Sequence, residues 1–191
     1  VLAGSDHLLI EAAGREFRVS ADSFFQVNIQ VAEALVDHIL GNLNLRTTDV
    51  VLDVYAGVGL FSAFIAPLVG SVVGIEVSES ACQDYAINLD EFENVELYQA
   101  PVEIVVNSLE VHPDVIILDP PRAGIDRKVL DSLVGMKADT IVYVSCDPAT
   151  MARDAQRLVK WGYQLEMITP FDMFPQTYHV ESVGFWQRVQ A

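Results

Sequence analysis

The run YVSCDPATMARD, Tyr143 to Asp154, ends an apolar, β-branched stretch on a thiol and starts a helix within two residues. Cys146 is then either a small buried hydrophobe closing a strand or a nucleophile held over a pocket, and burial is the commoner fate of a free cysteine. A second place for chemistry is VLDVYAGVGLFS, Val51 to Ser62. There a strand runs into a turn holding Gly57 and Gly59, and the turn opens a helix whose first N–H groups lack intrahelical partners. Ser62 stands where a dinucleotide fingerprint needs its third glycine, which disfavours a pyrophosphate. Asp53, ahead of the turn, would repel phosphates and suits a cationic or amino-bearing ligand. GIEVS puts Glu76 at the end of the next strand, where a carboxylate can accept two hydrogen bonds from a ribose diol. These residues favour a nucleoside cofactor over an ordinary structural turn, although Gly-containing turns are common in α/β sheets.

Such groups must be held by a sheet, and the pattern supplies one. The short β-branched runs VVLDVY, SVVGIEV, VELYQA, DVIILDP and TIVYVS alternate with the helical runs LFSAFIAPLV, SESACQDYAINLDEF, DRKVLDSLVG and PATMARDAQRLVKWG. Strands apolar on both faces belong to a mostly parallel sheet covered by helices. The tail MFPQTYHVESVGFWQRV reads as two strands joined by a short loop with no helix, which permits only antiparallel pairing. The last strand, within HVESVGFWQRV, is therefore expected to run antiparallel. Upstream, HLLIEAAGREFRVS reads as a hairpin, and SFFQVNIQVAEALVDHIL has helical spacing at Ile29, Ala32, Leu35, Val36 and Ile39. A seam near Ala21 divides an N-terminal hairpin, residues 1–20, from an α/β body, residues 21–191.

Composition excludes several classes. Of the 191 residues 51% are apolar and 20% charged, which is globular. No apolar run reaches the ~18 residues of a membrane span, and VLAGSDHLLIEAAG lacks the basic start of a secretory signal. Two cysteines, Cys82 and Cys146, are too few for a disulfide framework or a four-thiolate metal site, and this points to a reducing cytoplasm. His112 and His179 fit no metal spacing. With 11 Lys+Arg against 27 Asp+Glu the net charge is −16, which by itself argues against a grip on nucleic acid. Arg127, Lys128, Arg153, Arg157 and Lys160 are the one local basic cluster.

The Gly57–Gly59 turn and Glu76 resemble the class I S-adenosylmethionine-dependent methyltransferases. VIILDPPRAGID (Val115 to Asp126), YVSCDPATMARD, SFFQVN (Ser23 to Asn28) and MFPQTYHVESV (Met173 to Val183) narrow the resemblance to the RNA 5-methyluridine methyltransferase family. It covers the chain from about Gly14 to the end, with four motifs in the family's order. It implies a Rossmann-like methyltransferase fold, S-adenosylmethionine as cofactor, and methylation of carbon 5 of a uridine in ribosomal or transfer RNA. Family members often carry an N-terminal oligonucleotide-binding-like module, and some an iron–sulfur cluster held by four cysteines. Neither fits in this chain, so the RNA would be gripped mainly by regions outside it.

Carbon 5 of uracil is a poor nucleophile until a thiolate adds to carbon 6, after which a base must remove the carbon 5 proton. The resemblance makes Cys146 the nucleophile and Glu181 the base, a residue that by itself reads as an ordinary solvated carboxylate. It implies Asp119, Gln26, Tyr55, Gly57, Gly59 and Glu76 at the cofactor and Phe24 facing the target base. Arg122 is either a surface ion pair or a substrate contact. Cys82, inside a helical pattern, keeps the buried reading. The chain departs from many family members in having Ala56 in place of Cys and Leu60 in place of Asn, so Leu60 is not expected to bind through its side chain. A methyltransferase of the same fold with another substrate, and a non-catalytic cofactor-binding module, are the competing readings; the retained thiol disfavours the latter.

Overall fold

A computed structural model describes residues 4–189; residues 1–3 and 190–191, the outer ends of the two expected segments, lie outside the described residues. HLLIEA and REFRVS form the expected hairpin, β1 (His7–Ala12) and β2 (Arg15–Ser20), paired antiparallel with Ala12 opposite Arg15. Ala13 and Gly14 close it at φ 48° and 76°, the positive values that a two-residue hairpin turn of the right twist requires. Ser23–Phe25 and Asn28 do not extend the first helix backwards. The helix α1 (Ile29–Asn42) begins only where Asn28 caps it, its Oδ1 accepting the Val31 N–H at 3.3 Å.

From there strands and helices alternate. β3 (Val50–Val54), α2 (Leu60–Ile65), β4 (Ser71–Glu76), α3 (Glu79–Asn88) and β5 (Val95–Gln99) make one half. α4 (Val102–Val105), β6 (Val115–Leu118), α5 (Arg127–Gly135), β7 (Thr140–Ser145) and α6 (Pro148–Lys160) make the other. β8 (Tyr163–Phe171) and β9 (Glu181–Arg188) finish the chain. The sheet order is β5-β4-β3-β6-β7-β9-β8, with β5 to β7 parallel and β9 antiparallel to both neighbours. This is the expected mostly parallel sheet with an antiparallel last strand.

The tail differs from expectation in one respect. Met173–Val180 is not a strand, and β9 takes as its outer partner β8, a nine-residue strand drawn from YQLEMITPF. Pro170 sits within it because β8 is the sheet edge, where a missing N–H leaves no ladder bond unmade.

Alternation through the central strands builds two cores. Val51, Val115, Ile117, Val142 and Val144 face α1, α2 and the hairpin, whose Phe17 and Val19 belong to the same cluster. Leu52, Val54, Ile116, Leu118, Ile141 and Tyr143 face α4, α5 and α6. Asp84 on α3, fully buried, ties the hairpin down: it accepts from the Ser20 N–H (2.7 Å), the Ser20 hydroxyl (2.8 Å) and the Ser23 hydroxyl (2.6 Å), and pairs with the Arg18 guanidinium at 3.1 Å. The Ser23 contact matters most for the site, because Phe24, Phe25 and Gln26 follow it directly.

Candidate active site

The parallel strands leave the sheet at one edge, and β3 and β6 are neighbours there although the chain returns to β6 only after β5. Ligands of open α/β sheets sit at that kind of reversal. A cavity of about 570 Å³ opens at this edge. Of the ten residues singled out in the sequence, Phe24, Gln26, Tyr55, Gly57, Glu76, Asp119, Arg122, Cys146 and Glu181 line it. Gly59 does not.

The glycine turn shows why. Tyr55, a non-glycine residue at φ 65°, bends the chain off β3 so that its N–H and that of Ala56 both donate to the Ile75 carbonyl, at 3.0 and 3.1 Å. Gly57, at φ 55°, turns its N–H to Glu76 Oε2 at 2.9 Å, and a Cβ there would meet nothing within 4 Å. Gly59, at φ 91°, precedes α2, and a Cβ there would collide with Leu89 Cδ1 and reach 2.9 Å from Tyr85 Cδ2. Packing against α3 requires glycine here, and Gly59 is absent from the cavity lining. Glu76 Oε1 also accepts the Val77 and Ser78 N–H groups, both at 2.8 Å, so this carboxylate orders the turn as well as facing the cavity.

Asp53 does not reach the cavity. It is fully buried under α2 and accepts the Ser62 hydroxyl at 2.6 Å, away from the cavity wall. Burial pushes its carboxyl up to about 6. The acid that does face the cavity at this strand level is Asp119, half-buried at the end of β6 and without a hydrogen-bond donor from the described residues. Burial, then the charges of Glu181 and Asp53, hold Asp119 well above the usual carboxylate range.

Cys146 follows the last residue of β7 and Glu181 is the first of β9. Burial pushes Glu181 up to about 7. The Cys146 thiol is also raised, by burial first and then by Glu181 and Asp119, while the Arg122 charge favours its thiolate. Arg122 reaches Asp147 only loosely, Nε to Oδ2 4.0 Å, and Asp147 is occupied in capping α6 through the Ala149 and Thr150 N–H groups. Cys82 has none of these features. It is buried, directs its Sγ to the Glu76 carbonyl at 3.6 Å, and burial raises it to about 11.

Phe174, Val77, Leu60 and Ala56 also line the wall without having been expected there. Leu60 contributes apolar surface to it. Phe174 lay inside the quoted MFPQ run, and that position was its one signal. Among the described residues no three His, Cys, Asp or Glu side chains come together to hold a metal ion, and no helix is long and apolar enough to cross a membrane.

The arrangement has counterparts in known proteins. A relative in Streptomyces avermitilis, described as an uncharacterized RNA methyltransferase, is 42% identical over 91% of this chain and 41% of its own length. One in Chlorobaculum tepidum with the same description is 36% identical over 100% of this chain and 41% of its own. The crystal structure of the Pyrococcus abyssi tRNA (uracil-54, C5)-methyltransferase in complex with S-adenosyl-L-homocysteine superposes with a TM-score of 0.79 at 31% identity, over 96% of this chain and 45% of that one. The chain thus spans about two fifths of the length of the curated relatives it matches. The family model for tRNA (uracil-5-)-methyltransferase matches residues 5–189, nearly everything described above from the hairpin to β9, and the chain belongs to that family.

Proposed function

We propose that this chain is the catalytic part of an S-adenosylmethionine-dependent RNA methyltransferase that methylates carbon 5 of a uridine through a covalent bond from Cys146 to carbon 6. Residues 21–191 would form the catalytic unit, with hairpin 1–20 as its brace. The observation that carries the reading is that one cavity is lined by both a half-buried thiol and a carboxyl raised to about 7, alongside the Glu76–Gly57 turn.

The residues fit the cofactor. Asp119 is an acceptor without a protein donor, as an amino-bearing ligand requires, Glu76 is placed for a ribose diol, and Leu60 and Val77 offer apolar surface. When bound, the cofactor supplies an electrophilic methyl group on a sulfonium.

The protein's own steps follow from position. The Cys146 thiolate bonds to carbon 6, and the carbon 5–carbon 6 π electrons move onto the ring as an enolate. Arg122, whose charge favours the thiolate, eases that addition. Carbon 5, now nucleophilic, takes the methyl group. Glu181 as carboxylate then removes the carbon 5 proton, the double bond re-forms, and the sulfur leaves as thiolate. Phe24, on the rim and 67% exposed, faces the incoming base.

The two residues predict different failures in the full-length protein with its RNA. Cys146→Ala abolishes methylation and adduct together. Glu181→Gln still adds the thiolate and accepts the methyl group, then stalls, leaving a slow protein–RNA band on a denaturing gel. Near-parental turnover by the alanine variant rules out the covalent route; normal turnover by the glutamine variant transfers the base role elsewhere, first to Asp147.

A further inference from the structure

We propose that Phe174–His179 is a stacking shelf for the nucleobase next to the target base in a single-stranded RNA, an inference that rests on the RNA reading above. Phe174 is a partition: one side lines the reaction cavity and the other a cleft of about 460 Å³ shared with Val27 and Met173. The His179 ring stands edge-on to Phe174, centroids 5.9 Å apart at 69°, and the Tyr178 ring lies 4.2 Å from His179 at 40°. Tyr178 is 83% exposed, more than any other large apolar or aromatic side chain among the described residues, and only three residues from Glu181. The core gains nothing from a ring so placed.

The segment is held in shape. Thr177 donates to the Phe174 carbonyl from its N–H (3.1 Å) and its hydroxyl (2.8 Å), and its Oγ1 accepts the His179 N–H at 3.1 Å. Gln176 takes φ 67° to close the turn. A shelf already ordered costs little entropy when it is covered.

Charge identifies what covers it. No Lys or Arg occurs between Arg18 and Arg46, or between Lys160 and Arg188, the two segments that supply Phe24, Val27, Phe174 and Tyr178. These segments bring phosphates no cation of their own, Arg122 being the one Lys or Arg in the lining of the neighbouring cavity, and the chain's net charge of −16 repels them. A nucleobase, neutral and with a π-face, suits these rings whatever its sequence identity. Chemistry on a base also requires that the base leave its stack, which strips its neighbour of a partner. Tyr178 replaces that partner.

The test uses the full-length protein and single-stranded RNAs carrying 2-aminopurine on the 5′ or the 3′ side of the target uridine. The parent quenches the fluorophore in one of the two. Tyr178→Ala loses the quenching and raises KM for RNA by about 5- to 100-fold, with kcat and S-adenosylhomocysteine affinity unchanged and the salt slope the same. Tyr178→Phe behaves as the parent. Unchanged quenching and KM in Tyr178→Ala, in a parent that methylates, overturn the shelf alone, as does a phenylalanine variant as poor as the alanine one. Altered sedimentation of Tyr178→Ala with KM intact assigns the ring to a protein contact and overturns it too. A parent that binds S-adenosylhomocysteine but neither binds nor methylates uridine RNA overturns the function proposed above, and the shelf with it.

Discussion

Cys146 and Glu181 each lie one residue beyond the last pair of the β7–β9 ladder, at the edge where the cavity opens. The pairing is antiparallel with Ser145 opposite Ser182, so one step further brings the residue after β7 level with the first residue of β9. The antiparallel insertion of β9 has a chemical consequence. Parallel strands deliver their last residues to the ligand edge, as β6 delivers Asp119 and β7 delivers Cys146. A parallel β9 would begin at the opposite edge; running backwards, it brings its first residue to the thiol.

The burial of Glu181 sets a pH dependence. The Glu181 carboxyl is raised from an ordinary value of 4.5 to about 7 by burial, so the folded state holds its proton more tightly than the unfolded one. Below about 7 the group is protonated and cannot act as a base. Decay of a preformed methylated adduct should then rise about tenfold per pH unit below 7 and level off above it. Rapid-quench sampling of the adduct between pH 5.5 and 8.5 measures this. A decay rate flat across that range excludes Glu181 as the proton acceptor.

The same shift affects stability with the opposite sense. A carboxyl whose folded value lies above its unfolded value favours folding when protonated, and the advantage fades as pH rises from about 4.5 to about 7. Glu181→Gln cannot ionise, so it should become more stable than the parent as pH passes 7. Thermal melts at pH 5 and pH 8 give the comparison. A gap between variant and parent that does not widen with pH refutes it.

Asp84 has the reverse sign. Burial alone would raise it, but the Ser23 and Ser20 hydrogen bonds and the Arg18 charge outweigh burial and hold the carboxyl below its ordinary value. Its contribution is complete above the unfolded value near 3.8 and is lost as pH falls through the depressed one. Asp84→Ala leaves the Arg18 guanidinium and two serines facing the gap and should cost about 3 kcal/mol, or about 6–12 °C in Tm. Because Ser23 leads into Phe24 and Gln26, the variant should also bind S-adenosylhomocysteine less tightly. Melting with and without that ligand tests both; an unchanged Tm would show that the hairpin is not braced through Asp84.

Much of this was legible in the sequence because it rests on local pattern. The five parallel strands are short runs built around Val, Ile and Leu, and Tyr55, Glu76, Asp119 and Cys146 sit where four of those runs stop. Three features depended on what only packing decides. Asp53 alternates with Val51 and so faces α2, where Ser62 meets it; a strand-end acid reads the same whichever way it points. Tyr163–Phe171 was not read as a strand because, at the edge, most of its side chains are exposed or partly so, and it contains Glu166 and Pro170. Gly57 and Gly59 look equivalent in a turn, and only the neighbours Tyr85 and Leu89 separate them.

Those two glycines give the last expectation. Gly57 sits at φ 55°, within the left-handed region that other residues can enter, and a Cβ there meets nothing. Gly57→Ala should fold at a cost of about 1 kcal/mol. Gly59 sits at φ 91°, and its added Cβ would strike Leu89 and Tyr85, both buried and unable to withdraw into solvent. Gly59→Ala should cost about 3 kcal/mol or more, combining backbone strain with overpacking. Cofactor affinity should divide the other way at temperatures where both variants are folded. Gly57 lines the cavity and its N–H holds Glu76, so Gly57→Ala should weaken S-adenosylhomocysteine binding more per unit of lost stability. Urea titration and calorimetry on the pair measure both quantities. Equal stability costs would show that α3 gives way at Leu89, and stronger loss of affinity in Gly59→Ala would return that residue to the ligand site.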